Sequence, residues 1–170
     1  MGNCMITRRE TNEANGSKIL LQKGDYNSLV QTAIYGSQSS YLESNETPYL
    51  FSGQAPNGTS ITCAIKNIDA GGYSKLNVYV FCKNNNTSNN RYYVGLASSE
   101  NITNNNLAWN EDISSYITTG AIFHTECEVF SVDLNTLSAE QKKDLNLYFK
   151  ACGGYVAPGI WVYPILVELV

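Results

Sequence analysis

The sequence has a single histidine, few charges and no Cys-x-x-Cys pair, and each shortage closes a route to function. His124 alone cannot supply the several imidazoles of a typical transition-metal site. No G-x-S-x-G elbow exists to give it a nucleophile, because "YGSQS" around Gly36 and Ser37 lacks the second glycine. Charged residues make up only 15% of the 170, against the usual quarter, and the net charge is -4. That balance excludes nucleic acid as a partner, since phosphate binding is driven by clustered Lys and Arg. Five cysteines without a Cys-x-x-Cys pair suggest neither a zinc knuckle nor a disulfide framework. "DAGGY" and "CGGY" lack the Lys and helix of a phosphate loop, so no cofactor is expected. No run approaches the ~18 apolar residues that span a bilayer, and the N-terminus shows no apolar core of signal-peptide length. Synthesis in a cytoplasm, reduced thiols, no membrane insertion and unglycosylated N-x-S/T triplets such as Asn57-Gly-Thr59 are the expectations.

What is abundant is tyrosine, asparagine, serine and glycine, arranged with a period of two. In "YSKLNVYVFC", Leu76, Val78, Val80 and Cys82 share one face, and Tyr92, Val94 and Leu96 do so in "RYYVGLAS". "SLVQTAIY", "TSITCAIKN", "GAIFHTECEVF", "LNLYFKAC" and "IWVYPILVELV" read as further strands, with turns at "APNGTS", "DAGG" and "CGGY". Ser138 with Gln141 three residues later makes a capping box for one short helical turn, and Asp133 is placed to accept backbone N–H groups ahead of it. Many strands and almost no helix predict an all-β antiparallel sandwich, a jelly roll, over residues 17–170 behind an N-terminal arm at 1–16. In that arm Met5 and Ile6 give an apolar foothold for docking on a neighbour, although most termini simply fray.

Three groups of residues are candidates for function. The run "FCKNNNTSNNRYYVGL" puts Asn84, Asn85 and Asn86 in a long hairpin connection. If "TSITCAIKN" pairs antiparallel with the preceding strand of that hairpin, Asn57 in "SGQAPNG" lies at the same pole. Amides donate and accept, which suits sugar hydroxyls, but they equally suit tight turns. Trp109, in the polar stretch "NNNLAWNED", is the aromatic expected to stack on a pyranose, whereas Trp161 is expected in the core.

The second group is "HTECE", where His124, Glu126 and Glu128 share one face of a strand and Cys127 and Val129 the other. A divalent metal or a paired-carboxylate reaction is one reading, and a solvated outer face is the other. The third group is the last strand, where Trp161, Tyr163, Ile165, Val167 and Leu169 alternate on one face. Its second face is also largely apolar, and Pro164 removes a ladder donor. Pro calls for an edge or a bulge, and two apolar faces call for cover, which a subunit contact or a neighbouring loop would provide.

"FSVDLNTL", "LNLYFKACGGY" and the terminal "IWVYPILVELV" resemble the small jelly-roll modules of tailed-bacteriophage virions from low-GC Gram-positive hosts. Carbohydrate-binding modules of the same fold look similar too. The virion resemblance implies a non-enzymatic tail-fibre tip, baseplate, head-fibre or capsid-decoration part, localised to the virion and partnered by other virion proteins. It also implies a homo-oligomer, which we take first as a trimer meeting through Trp161, Tyr163, Ile165 and Val167. A carbohydrate-binding module contacting a cell-surface glycan is the alternative, and a metal-dependent enzyme using the His124 face the third.

Overall fold

The computed structural model describes residues 16–35, 39–42, 49–52, 59–84, 91–98, 117–118, 126–153 and 160–170. The period-two segments become antiparallel strands, numbered β1 (Lys18–Gln22), β2 (Leu29–Tyr35), β3 (Ser39–Leu42), β4 (Tyr49–Ser52), β5 (Thr59–Ile68), β6 (Lys75–Asn84) and β7 (Arg91–Ser98). They continue as β8 (Ile117–Thr118), β9 (Glu126–Asp133), β10 (Leu145–Gly153) and β11 (Ile160–Leu169). Between β9 and β10 lie a 3₁₀ turn, Leu134–Thr136, and one helical turn, α1 (Ala139–Lys142).

Sheet A has the order β3-β4-β11-β6-β9, with β1 also on β11, and sheet B has the order β2-β5-β10-β7-β8. The two form an all-β sandwich of jelly-roll type. Its core is the inward row of each strand: Leu76, Val78 and Val80 on β6, Tyr92, Val94 and Leu96 on β7, and Leu145, Leu147, Phe149 and Ala151 on β10. Apolar alternation places these side chains between the sheets, where burial supplies most of the driving force for folding.

The turn between β9 and β10 forms as its residues dictate. Asn135 N–H donates to Asp133 Oδ1 at 2.9 Å, and Gln141 N–H donates to Ser138 Oγ at 3.2 Å. Gln141 Oε1 accepts from Ser138 N–H at 2.8 Å, completing the reciprocal box.

The strand β11 departs from simple alternation. Its register to β6 slips between Pro164, opposite Val80, and Leu166, opposite Tyr79, so Ile165 is the extra residue of a bulge. On its other side β4 pairs with Ile160, Trp161 and Val162, and β1 pairs with Leu166 to Leu169. Pro164 falls between these two pairings, where its missing N–H costs no ladder bond on that side. The bulge reverses which residues face inward, as a one-residue shift must. Ile160 and Val162 are core before it, and Val167 and Leu169 after it. The expected single face from Trp161 to Leu169 is therefore corrected: Trp161 and Tyr163 lie on the outer surface, and Val167 is fully buried.

A second correction concerns β5 and β6. They do not pair; β5 belongs to sheet B and β6 to sheet A. At one end of sheet A, Ile160 pairs with both Ser52 and Asn84, so the ends of β4 and β6 do share a pole.

Candidate functional site

The outer face of sheet A carries a row of aromatic and aliphatic side chains that the core does not use. Between the buried Val78, Val80 and Cys82 of β6, Tyr79 and Phe81 point outward and are half-buried. Trp161 and Tyr163 do the same on β11, between Ile160, Val162 and Pro164. Tyr163 stands opposite Phe81, and Leu166 opposite Tyr79, which in turn is opposite Val129 of β9. Val129 is 54% exposed.

The strip ends in a polar group. Ser131 Oγ donates to Asn77 Oδ1 at 2.7 Å, and Asn77 Nδ2 donates to Glu168 Oε1 at 3.2 Å. Glu168 and Asn77 are cross-strand partners, as are Asn77 and Ser131, so the chain of donors runs across three strands in one line. This network fixes the amide of Asn77, leaving its second N–H directed by the first. From Trp161 to Glu168 the strip runs roughly 20 Å at ~3.3 Å per residue. Aromatic rings present flat apolar faces, and beyond them lie the half-buried Asn77 amide and the exposed Ser131 hydroxyl, with the Glu168 carboxylate that accepts from Asn77 itself buried.

The outer face of sheet B has another character. Thr62, Asn146, Tyr148 and Lys150 alternate with core residues, so they point away from sheet A, yet all four are buried. Asn146 Oδ1 accepts from the N–H of Asn67 at 3.0 Å, which holds Asn67 in the left-handed region at φ 56°. Burial pushes the Tyr148 phenol up to about 12; the Asn146 hydrogen bond opposes this, and the charge of Asp144 adds to it. The phenol therefore stays neutral at any ordinary pH.

The candidates drawn from sequence fare unevenly. Asn57, Asn85, Asn86, Trp109 and His124 lie outside the described residues. Asn84 closes β6 at the pole noted above. Glu126 and Glu128 sit on β9 opposite Cys82 and Val80. The expected inward Val129 is corrected to outward, because Phe130 and Val132 take the core side. Phe130 packs edge-on against Tyr92 at 6.2 Å and 72°. Among the described residues no three His, Cys, Asp or Glu side chains gather as metal ligands. Of the proposed interface set, Trp161, Tyr163 and Ile165 are half-buried and Val167 is core. Phe81 and Tyr79 were legible as outward residues of their strand; the signal for Trp161 and Tyr163 was Pro164, which marked the bulge.

No protein-family model matches the chain, and no curated protein matches it. Similar solved structures include TmCBM61 in complex with β-1,4-galactotriose, at TM-score 0.49 and 10% identity, covering 86% of this chain and 90% of that one. The CBM27-1 of Caldicellulosiruptor saccharolyticus in complex with mannohexaose gives 0.48 and 11%, covering 90% and 96%. The mannan-recognising carbohydrate-binding module TmCBM27 gives 0.46 and 9%, again covering 90% and 96%. These are carbohydrate-binding modules and not virion proteins, which corrects the expectation of a tailed-phage structural part with virion partners.

Proposed function

We propose that the protein is a non-catalytic carbohydrate-binding module and that the outer face of sheet A is its binding surface. The observation that carries this reading is the half-buried row Trp161, Tyr163, Phe81 and Tyr79, ending at the hydrogen-bonded group of Asn77, Glu168 and Ser131. Pyranose rings have an apolar C–H face that packs on aromatic rings and hydroxyls that need donors and acceptors at the edge. A flat sheet face with rings in the middle and an oriented amide at the end meets both needs. Rings held by strands are also pre-organised, so little side-chain entropy is lost on binding.

Titration calorimetry with β-1,4-galactotriose and mannohexaose as neutral probes tests this. Binding in the micromolar to millimolar range is expected for wild type, with at least a tenfold loss in Trp161→Ala and in Tyr163→Ala. Absence of heat with any neutral oligosaccharide, or binding that both variants retain in full, overturns the assignment to this face.

A further inference from the structure

Asn77 stands in the middle of a cross-strand row, with Ser131 of β9 on one side and Glu168 of β11 on the other. Its amide is held from both: Oδ1 accepts from Ser131 Oγ at 2.7 Å, and Nδ2 donates to Glu168 Oε1 at 3.2 Å. A flipped amide would turn Oδ1 toward the Glu168 carboxylate, two acceptors with no proton between them, so the orientation is fixed. An amide nitrogen carries two N–H groups, and Glu168, only 6% exposed, takes one. The other has no partner among the described residues, on a side chain that is only half-buried. What Asn77 still offers a ligand is thus a donor in a set direction.

Val129 supplies an independent observation. It is the next outward residue of β9 beyond Ser131, directly opposite Tyr79, and it is 54% exposed. Asn77 and Val129 are therefore diagonal neighbours on adjacent strands, a relation that sets side chains roughly 7–8 Å apart. A group that accepts a hydrogen bond of ~2.9 Å at one end and makes an apolar contact of ~4 Å at the other bridges that gap. A lone hydroxyl satisfies the donor and leaves Val129 facing water.

Taking the aromatic strip as the binding surface, on which this inference rests, we propose that its polar end is a subsite for the N-acetyl group of an acetamido sugar. The carbonyl oxygen accepts from Asn77 Nδ2, and the methyl group packs on Val129 beside the ring of Tyr79. An amide carbonyl is acceptor-only, so it complements the one unused N–H without bringing a proton of its own against it. The pyranose that carries the group continues toward Tyr163 and Phe81. Ser131 and Glu168 are positioning residues, because each acts on the ligand through the Asn77 amide.

The test is titration calorimetry of the full chain with triacetylchitotriose against cellotriose, two β-1,4 trisaccharides that differ at C2 in acetamido against hydroxyl. N-acetylgalactosamine against galactose repeats the comparison for the C4 epimer. At least a tenfold preference for the acetamido member of one pair is expected. Asn77→Ala should abolish that preference, and Val129→Ser should reduce it by roughly fourfold, the transfer value of one methyl group. Trp161→Ala should weaken both members of a pair together and leave their ratio unchanged.

Equal affinities within both pairs overturn the acetamido subsite and leave the aromatic strip standing, as does a preference that Asn77→Ala and Val129→Ser both retain. Absence of binding by all four sugars, or affinities that Trp161→Ala does not change, overturns the strip itself. Should Asn77→Ala not fold, the side-chain amide resonances of Asn77 in the wild type decide the matter. A shift of these resonances on titration with the preferred acetamido sugar, absent with its hydroxyl counterpart, supports the subsite, and their constancy overturns it.

Discussion

Phe81 and Tyr163 occupy directly paired positions on adjacent strands, with ring centroids 5.7 Å apart and planes tilted by 47°. Aromatic pairs at this separation are worth about 0.5–1.5 kcal/mol beyond their burial. A double-mutant cycle of Phe81→Leu and Tyr163→Leu, read by urea unfolding, should give a coupling within that range. A coupling of zero would show that the two rings act separately, and a glycan would then meet two platforms instead of one.

Much of the sandwich was legible because its residues obey one rule at a time. The inward rows of β6, β7 and β10 follow from alternation alone, and the helical turn from Ser138 and Gln141. The face of β11 was not legible, because alternation says nothing about where a bulge falls; Pro164 announced one without placing the extra residue at 165. On β9 the sequence "EVFSVD" permits two phases, and tertiary packing of Phe130 on Tyr92 selects the one that exposes Val129. The buried polar face of sheet B was hidden for another reason: a Lys on a strand reads as a solvent marker until the fold shows it enclosed.

Phe149 is fully buried at the centre of β10, flanked by Cys63 on β5 and Val94 on β7. Phe149→Ala should cost about 3–5 kcal/mol, the usual range for emptying a core aromatic site. Chemical denaturation measures this directly. A loss below about 1 kcal/mol would mean that the two sheets close over the gap.

At Asn67 the backbone has φ 56°, a conformation that asparagine and glycine tolerate and β-branched residues do not. Asn67→Gly should be close to neutral, whereas Asn67→Val should lose about 1–3 kcal/mol. The partner change Asn146→Leu removes the acceptor of the Asn67 N–H and should cost about 1–3 kcal/mol. Thermal melts of the three variants give the ranking.

The pH dependence of stability should carry the signature of Tyr148. Its phenol is raised from 10.0 to about 12 in the folded chain, so between these values the unfolded form has released a proton that the folded form retains. The unfolded state then binds fewer protons, and stability must fall as pH rises through this window. The contribution is fully present below pH 10. Tyr148→Phe should flatten the decline, and unfolding followed from pH 9 to 12 in both proteins would show it.

Ser138→Ala removes the capping hydroxyl of α1 and should destabilise the fold by about 1 kcal/mol. Because Lys142 C=O accepts from Ala70 N–H, the loss should also raise amide exchange at Ala70, next to β5. Protection at Ala70 that is unchanged in the variant would show that the turn holds its place without the cap.

The gap beside Pro164 has a mechanical meaning. Lys18 pairs with Leu169 and Gln22 with Leu166, so a force drawing Lys18 away from Val170 loads the β1–β11 bonds one after another, as a zip is opened, and never all together. Opening would halt where β1 ends, because the next partner along β11 is β4, held on a different stretch of chain. Under tension the first strand is thus a clasp that gives way cheaply, while β11 and the rest of sheet A stay closed behind it.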